Sequence, residues 1–481
     1  MRGTARREDA AMHVEWWSIL PFVALLLCIA VLPLIPATEK AWDRNLVKLV
    51  VALVLGIPIT LWFVIAGHQG IVIGALIEYT QFIVLLGSLF VASGGIFLSG
   101  DISATPRNNT IFLAVGGVLA SFIGTTGAAM LLIRPILNTN QERTHRVHTV
   151  VFTIFIVANC GGLLTPLGDP PLFLGMLRGV PFEWTLGLWP YWLFVNALLL
   201  LTFYAIDKRA YAAEPSEAIQ RDTASQTKLG LRGGSGLLFL AVIIVAVAFV
   251  PSVDAHAIEA GTAGLADSIP WREIVMIAAA AGSLVVGSRS ARFDDNGFTW
   301  APILEVAALF IGIFLTMMPA LEYLGQVAPN LPLTNITLFI FSGGLSSVLD
   351  NAPTYATFFE MASHVDGANL VAGVPEALLI AISLGSVLGG AMTYIGNGPN
   401  FMTKSVADAA GVTMPSFGGY IRWSLTYLAP VLASMVLLFL TDDLWWKLLG
   451  AVLTLALVAR AVWLIVKPAR QPSSQTRSST S

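Results

Sequence analysis

Two stretches of this chain place an acid or amide, a hydroxyl, glycines and prolines in the same order within long apolar segments. Residues 161–171 read Gly-Gly-Leu-Leu-Thr-Pro-Leu-Gly-Asp-Pro-Pro, and residues 389–399 read Gly-Gly-Ala-Met-Thr-Tyr-Ile-Gly-Asn-Gly-Pro. Both fit G-G-x-x-T-x-x-G-[DN]-x-P, with starts 228 residues apart. Because glycine tolerates unusual backbone angles and proline removes an amide donor, each motif predicts a break in a helix. The break residues are Gly161, Gly162, Gly168 and Pro170 in the first copy and Gly389, Gly390, Gly396 and Pro399 in the second.

A helix break inside a membrane frees backbone carbonyls, which must face protein or a water-filled cavity. The hydroxyls of Thr165 and Thr393 and the side chains of Asp169 and Asn397 add further oxygen atoms. Oxygen ligands of this kind suit a small hard cation such as sodium. A kink that serves packing alone is the alternative for one motif, but a matched pair in two halves of a chain favours a binding site.

Two shorter apolar pairs, near 111–137 and 332–364, are interrupted at their centres and predict re-entrant hairpins. The first centre reads Gly-Thr-Thr-Gly-Ala at 124–128 and supplies Thr125 and Thr126, while the second reads Asp-Asn-Ala-Pro-Thr at 350–354 and supplies Asp350 and Asn351. A carboxylate within a bilayer is costly unless it is paired or protonated. Asp350 is therefore predicted to hold a cation or a proton in turn, although capping a helix N-terminus is the alternative for it and for Asp169.

Glu78 and Glu305 precede the two hairpins and lie 227 residues apart. Each falls close to the start of its span, so a side chain that reaches interfacial water is one interpretation. Their equivalent positions favour a second interpretation, in which they brace the hairpins or relay protons. With Asp169 and Asp350 they complete the predicted set of proton-coupling residues.

Five further charged or titratable residues are assigned lesser roles. Arg134 and Glu360 lie on the returning arms of the hairpins and are predicted to anchor them. Lys404 follows the second break and is predicted to reach the interface with its amine, as long cationic side chains do. For His145 and His148 at a helix entrance, a solvated face is favoured over proton sensing.

The elements that position these residues are membrane spans. The chain is 56% hydrophobic and 11% charged, far from the usage of soluble domains. The two cysteines, Cys28 and Cys160, fall in apolar segments and predict no disulfide, and the net charge of −3 gives no indication of nucleic-acid binding. Apolar stretches long enough to cross a bilayer are predicted near 15–36, 46–66, 71–98, 148–177, 184–206, 235–251, 273–288, 301–319, 373–408, 421–441 and 443–466.

Eleven spans and two hairpins that do not change sides put the N-terminus outside and the C-terminus in the cytoplasm. On that topology 17 Lys and Arg residues are cytoplasmic and 6 are external, as the positive-inside rule requires. Residues 15–206 and 235–441 then form two inverted repeats, joined by a polar cytoplasmic linker at 207–234 and followed by an extra helix at 442–466. Residues 1–14 form an N-terminal tail, which is a solvated segment or an over-long gene start, with no cleavable signal peptide, and residues 467–481 form a disordered tail.

These motifs resemble those of the ion transporter superfamily, which includes NhaD-type sodium/proton antiporters, citrate and dicarboxylate transporters, and arsenite permeases. The resemblance rests on Asn-Cys-Gly-Gly-Leu-Leu-Thr-Pro-Leu-Gly-Asp-Pro-Pro at 159–171, on Ser-Val-Leu-Asp-Asn-Ala-Pro-Thr at 347–354, and on residues 389–400. It implies two inverted repeats, each with a hairpin and a broken helix, and often a homodimer, and it adds Asn159 to the ion-binding set. Sodium-coupled dicarboxylate members carry Ser-Asn-Thr at both hairpin centres, so the centres of this chain look more like the NhaD-type branch.

The sequence thus predicts an all-α polytopic protein of the inner membrane that exchanges sodium or lithium for protons by alternating access. Cation-coupled transport of citrate or a dicarboxylate on the same fold is the alternative. An intramembrane aspartyl protease would need Gly-x-Gly-Asp, and Asp169 lacks the first glycine. Two buried acids suit gated exchange better than they suit a channel. The chain has no phosphate-binding loop for ATP-driven pumping and no hydrolase motif. Membrane lipid, sodium and protons, or a citrate-like anion, are the predicted partners, and no cofactor is predicted.

Overall fold

The computed structural model of the protein describes residues 14–35, 37–253, 264 and 268–467. Within these ranges helices dominate, and strands form only two short antiparallel ribbons. Seven helical segments are long and apolar enough to cross a membrane, and four shorter apolar helices accompany them. The prediction of an all-α polytopic membrane protein is confirmed. The predicted tails lie outside the described residues, apart from their inner ends at 14 and 467.

The helices of the first half are α1 (Leu20–Val31), α2 (Glu39–Trp42), α3 (Asn45–Ile65), α4 (Gln69–Gly94), α5 (Pro106–Ile123), α6 (Thr125–Thr139), α7 (Val147–Ile156), α8 (Pro170–Leu177), α9 (Trp189–Ala212) and α10 (Ser216–Ala224). Those of the second half are α11 (Ser235–Phe249), α12 (Trp271–Val286), α13 (Ala301–Val327), α14 (Asn335–Ser346), α15 (Asn351–Ser363), α16 (Glu376–Gly389), α17 (Gly398–Ala409), α18 (Phe417–Trp423), α19 (Ala429–Met435) and α20 (Leu444–Val466). The strands are β1 (Phe97–Asp101), β2 (Thr227–Arg232), β3 (Leu370–Val371) and β4 (Val374–Pro375).

Short 3₁₀ or π segments extend or join these helices. They lie at Trp16–Ile19, Leu32–Leu34, Cys160–Leu164, Phe182–Leu188, Ser290–Asp295, Ala328–Asn330, Gly390–Met392, Ser424–Leu428 and Val436–Leu440.

Both predicted helix breaks are present. In the first half the segment Cys160–Leu164 and an irregular stretch separate α7 from α8, and in the second half Gly390–Met392 and an irregular stretch separate α16 from α17. Proline is the first residue of α8, at Pro170, and the second residue of α17, at Pro399, where its missing amide costs nothing because that donor has no helical partner.

Both predicted hairpins are also present. The first consists of α5 and α6, which meet at Gly124 with φ +80°, and the second consists of α14 and α15, which meet before Asn351. The arms of the first begin earlier than predicted, at Pro106, because Thr105 caps α5 by accepting a hydrogen bond from the amide of Asn108 at 3.3 Å.

The second part of each broken helix packs against the returning arm of the hairpin from the other half. Helix α8 lies on α15, and α17 lies on α6. A second group of helices consists of α3, α4, α12 and α13, in which α3 packs on α13 and α4 on α12. Gly312 allows close approach there, because a Cβ atom added to it would lie 2.5 Å from the Cβ of Ala52. The contact of α8 with α15 and the contact of α17 with α6 are equivalent in the two halves, as the predicted inverted repeats require. The repeat boundaries stay a prediction.

Two predicted span ends differ from the structure. The span at 71–98 ends at Gly94, because residues 97–101 form β1, which pairs with β2. The span at 301–319 continues to Val327 through Pro319, which lies inside α13. The segment at 207–234, predicted as a polar cytoplasmic linker, holds the end of α9, all of α10 and β2, and its role as a linker stays a prediction.

This segment is fixed to the first hairpin by a buried carboxylate. Asp222 on α10 accepts hydrogen bonds from the amide of Ala104 at 3.1 and 3.2 Å, and Asp222 is 3% exposed. The polar composition of 207–234 did not indicate this packing, since strand pairing and one buried acid decide it.

Candidate functional site

Asp169 lies where both hairpins and both helix breaks meet. Its carboxylate accepts hydrogen bonds from Thr125 Oγ1 at 2.9 Å, from Asn397 Nδ2 at 3.4 Å and from Asn351 Nδ2. These side chains are buried, with Asp169 1% exposed. Each of the four structural units therefore supplies one member of this cluster, which we call the Asp169 site (Thr125, Asp169, Asn351 and Asn397).

The same four residues stand at the beginnings of four helices. Thr125 and Asn351 are the first residues of α6 and α15, and Asp169 and Asn397 are the residues that precede α8 and α17. A helix N-terminus carries a partial positive charge of about half a unit, from amide groups that have no helical partner. Four such ends directed at one place form an environment that favours negative charge.

The acids at this place have no cationic partner among the side chains that the structure describes. In that part of the chain no Lys, Arg or His forms an ion pair with Asp169 or with Asp350. The hydrogen bonds that Asp169 accepts come from a hydroxyl and two amides, which are neutral groups. The charge of that carboxylate is therefore stabilised by dipoles and not by a neighbouring cation.

An acceptor oxygen at the Asp169 site is also left without a partner. Asn351 directs Nδ2 to Asp169, and its Oδ1 atom is buried with no hydrogen-bond donor among the described residues. Buried polar atoms are almost always paired. An amide oxygen without a hydrogen-bond donor, on a side chain that contacts a carboxylate, is a suitable ligand for a bound cation.

Asp350 lies next to this cluster but does not contact Asp169 directly. Its Oδ1 atom accepts a hydrogen bond from the amide of Ala352 at 3.1 Å, so Asp350 caps α15, which was the alternative interpretation of this residue. Thr126 follows Thr125 on α6 and is half-buried. The structure thus brings Asp350 and Thr126 to the rim of the site.

Thr165 and Thr393 hold the hairpins to the breaks instead of pointing at Asp169. The hydroxyl of Thr165 donates to the carbonyl of Ser121, and that of Thr393 donates to the carbonyl of Ser347. The two contacts are equivalent, since each joins one break to the first arm of its own hairpin. Ser121 Oγ also donates to the carbonyl of Gly161, which strengthens the contact in the first half.

Asn159 contributes to the site through a chain of amides. Asn397 Nδ2 donates to Asn159 Oδ1 at 3.2 Å, and Asn159 Nδ2 donates to Asn400 Oδ1 at 2.7 Å. Asn400 in turn donates to the carbonyls of Gly390 and Thr393 at 2.8 and 2.9 Å. Asn400 was not among the predicted binding residues, and its position at the end of the second motif was the only signal for it.

The motif glycines allow backbone contacts that no other residue would permit. A Cβ atom on Gly168 would lie 2.1 Å from the carbonyl oxygen of Gly162, and one on Gly396 would lie 2.6 Å from that of Gly390. The prediction that these glycines serve close approach agrees with this geometry.

Two glycines on the first hairpin arms were missed. A Cβ atom on Gly161 would lie 2.7 Å from the Cα of Gly117, and one on Gly389 would lie 2.5 Å from the Cα of Gly343. Gly117 and Gly343 are 226 residues apart, the offset that relates the two hairpin centres. That shared offset was a usable signal.

Glu78 and Glu305 do not reach the Asp169 site. Glu78 pairs with Arg178 across 3.5 Å, and Glu305 pairs with Lys48 across 2.5 Å with 46% of its own side chain exposed. Arg178 also lies 3.9 Å from Glu360 on the second hairpin. Both glutamates hold ion pairs away from Asp169, so their predicted role in proton coupling at the site gains no support from the geometry.

The remaining charged residues on the hairpins and breaks also hold partners elsewhere. Arg134 donates to the carbonyl of Asp295 at 3.1 Å, which fits an anchor of the returning arm. Lys404 pairs with Asp408 at 2.6 Å, one turn along α17, away from Asp169. His145 has 53% of its side chain exposed, in keeping with a solvated face.

The prediction of a solvated face is wrong for His148. Its side chain is 6% exposed and lies 2.8 Å from Asp207, which also pairs with Arg143 at 2.6 Å. Because α7 packs on α9, the start of α7 faces the end of α9 and not solvent. Tertiary packing decided this, and helix position alone could not reveal it.

Glu214 completes this buried polar cluster. It accepts hydrogen bonds from the amides of Thr144 and His145 at 2.9 and 2.8 Å and lies 3.6 Å from Arg143. Burial alone would raise the pKa of Glu214, but the two amide hydrogen bonds and the charge of Arg143 outweigh it and lower that pKa. The cluster ties the base of the first hairpin to α9 and the segment after it.

Comparison with known proteins places the chain among membrane transporters. Residues 11–440 match the family described as "Putative citrate transport". A 46 kDa membrane protein of Mycobacterium leprae is 25% identical over 327 residues, covering 65% of this chain and 71% of that protein. An uncharacterized transporter of Mycobacterium bovis is 25% identical over 332 residues (66% and 73%), and one of Mycobacterium tuberculosis is 24% identical over 391 residues (77% and 86%). The family match spans most of the chain, and the chain therefore belongs to this family of membrane transporters.

Proposed function

We propose that this protein is a secondary active transporter that moves a citrate-like carboxylate together with a small hard cation, by alternating access at the Asp169 site. The observation that carries this proposal is the meeting of four helix N-termini at one buried carboxylate. Broken helices whose N-termini face a common point are typical of sites for anionic substrate groups in transporters.

The charges at the site explain why a cation would accompany the anion. Four helix ends contribute roughly two positive charges in all, at about half a unit each. Asp169 and Asp350 contribute up to two negative charges, so the helix ends offset the protein's own acids. A carboxylate substrate would add further negative charge to the site. Among the described residues no Lys or Arg pairs with Asp169 or Asp350, so the substrate needs a cation bound beside it.

The ligands for that cation are present among the site residues. Asn351 contacts the carboxylate of Asp169 through its Nδ2 atom and keeps its Oδ1 unpartnered, and the hydroxyl of Thr125 lies 2.9 Å from Asp169. Carboxylate, amide and hydroxyl oxygens suit sodium, lithium or magnesium better than soft metals. Asp350, one residue before Asn351, is placed to exchange a proton when the cation leaves.

Exchange of sodium or lithium for protons is the second candidate. The observation in its favour is that, among the described residues, no cationic side chain is paired with Asp169 or Asp350. In that case the two acids alone would alternate between a cation and protons, and no organic anion would be needed.

Reconstitution into liposomes separates the candidates. Purified protein is placed in vesicles that contain a pH dye, and labelled citrate is added with sodium, lithium, potassium or magnesium in turn. Citrate uptake that depends on one of these cations supports the proposal. A pH change driven by sodium or lithium without any organic anion, and no citrate uptake, would support cation/proton exchange instead.

A matched pair of variants tests the assignment of the site. Asp169→Asn removes the central charge, whereas Asp408→Asn removes a partly exposed acid on α17 that pairs with Lys404. We expect Asp169→Asn to abolish transport of either kind and Asp408→Asn to retain it. Wild-type transport by Asp169→Asn, at equal amounts of protein in the vesicles, would refute the site.

A further inference from the structure

An apolar groove runs along the outer side of the first hairpin. It has a volume of about 350 Å³ and lies between α5 on one side and β2 and α11 on the other. Its wall on α5 is a stripe of aliphatic side chains at helical spacing, formed by Ile111, Val115 and Leu119. The facing wall is formed by Leu229 and Leu231 of β2 with Leu237 and Leu240 of α11, and nearly all of the lining is hydrocarbon.

The groove is long enough to hold an acyl chain across one leaflet of a membrane. It extends along α5 from Asn108 to Ile123. At about 1.5 Å per helical residue this distance is roughly 22 Å. Half of a bilayer's hydrocarbon core is about 15 Å thick. A chain that entered at the base of the hairpin would therefore reach Ile123, beside the tip that carries Thr125.

The mouth of the groove carries a basic side chain. Arg107 is exposed and lies one helical turn before Ile111 on the lining stripe of α5, beside Asn108, the polar residue at the groove's end. Of the nearby acids, Asp101 and Asp222 are buried, at 6% and 3% exposure. Arg107 therefore places an accessible positive charge at the mouth, on the face predicted to be cytoplasmic, where membranes hold anionic lipid.

We propose that this groove binds one anionic phospholipid, with an acyl chain between α5 and the β2–α11 wall and its phosphate at Arg107. The positive rim distinguishes this site from ordinary contact with bilayer hydrocarbon, because a neutral lipid could fill the groove but would gain nothing at its mouth. The apolar walls exclude a soluble anion, which would be desolvated without a hydrogen-bond partner. This site is separate from the Asp169 site and does not depend on the nature of the transported substrate.

Mass spectrometry of the intact detergent-purified protein tests the acyl-chain position. Val115→Trp fills the groove, whereas Val118→Trp changes a neighbouring residue of α5 that is 44% exposed and does not line it. We expect wild type and Val118→Trp to retain a phosphatidylglycerol molecule and Val115→Trp to lose it. Equal retention by all three proteins would overturn the proposal.

The headgroup position is tested by a second pair. Arg107→Gln removes the charge at the mouth, and Lys208→Gln removes an exposed charge on α9, which does not line the groove. One basic residue near an anionic membrane surface is worth about fivefold in affinity. We expect retention to fall about fivefold for Arg107→Gln and to be unchanged for Lys208→Gln; an equal fall in both would overturn the assignment of the headgroup.

Photolabelling of wild-type protein keeps the proposal testable if the groove variants do not fold. Phosphatidylglycerol with a photoreactive acyl chain is reconstituted with the protein, and labelled residues are mapped. We expect labelling of Leu229 and Leu231 that excess phosphatidylglycerol suppresses and excess phosphatidylcholine does not. Suppression by both lipids alike, as expected for the exposed helix α20, would overturn the proposal.

Discussion

Asn351→Ala is the substitution that separates the Asp169 site from a merely structural cluster. The change removes the hydrogen bond to the buried carboxylate of Asp169 and also the unpartnered Oδ1 that is proposed to bind the cation. A hydrogen bond to a charged group contributes about 1.5–3 kcal/mol, which is roughly a 10- to 100-fold change in affinity. We expect the half-saturating cation concentration to rise by that factor.

The assay is initial transport rate in proteoliposomes against cation concentration, at fixed citrate. Asn140→Ala is the matched control, because Asn140 is equally buried, at 1%, but bonds to Asn109 and to the carbonyl of Ile136, away from Asp169. We expect that control to alter stability without altering the half-saturating concentration. An unchanged half-saturating concentration in Asn351→Ala, with active protein present, would refute the reasoning.

Three other substitutions test the account at different places. Gly168→Ala puts a methyl group 2.1 Å from the carbonyl oxygen of Gly162, whereas the methyl group of Gly74→Ala meets nothing within 4 Å. Thermal unfolding in detergent should therefore show severe destabilisation of Gly168→Ala and none of Gly74→Ala. Glu305→Gln should leave the half-saturating cation concentration within about threefold of wild type, because the ion pair of Glu305 is partly exposed and such pairs contribute little. A rise beyond about tenfold would show that Glu305 takes part in cation binding. Glu214 has a lowered pKa when folded, so its contribution to stability is complete above its ordinary value of 4.5 and is lost as pH falls through the folded value. The difference in melting temperature between wild type and Glu214→Gln should therefore shrink as pH falls below that value, and a difference that stays constant would contradict the assigned pairing.

Much of the fold could be predicted because the polar interruptions repeat at a constant offset. The two breaks follow from G-G-x-x-T-x-x-G-[DN]-x-P, and the two hairpins follow from the interrupted apolar pairs centred at 124–128 and 350–354. The constant offset between the copies predicts that Thr125, Asp169, Asn351 and Asn397 meet. Such signals are local, because glycine, proline and a single polar residue together within an apolar run are tolerated in a membrane only where the chain faces protein or a cavity.

Other features depend on contacts between distant segments and left no local pattern. The pairing of β1 with β2 joins two segments far apart in the sequence, and the burial of His148 against Asp207 arises only when α9 packs beside α7. The role of the helix N-termini was also missed, because Asp169 and Asp350 were visible in the sequence but the meeting of four helix N-termini beside them was not. Assembly as a homodimer, location in the inner membrane and the sidedness of the loops stay predictions.

Charge movement on rapid addition of substrate tests the Asp169 site most directly, because it reports binding before any transport cycle is complete. The measurement adds citrate with its cation to proteoliposomes adsorbed on a solid-supported membrane. We predict a transient current in wild type and in Asp408→Asn, and none in Asp169→Asn. A current of full size and unchanged concentration dependence in Asp169→Asn would contradict the account.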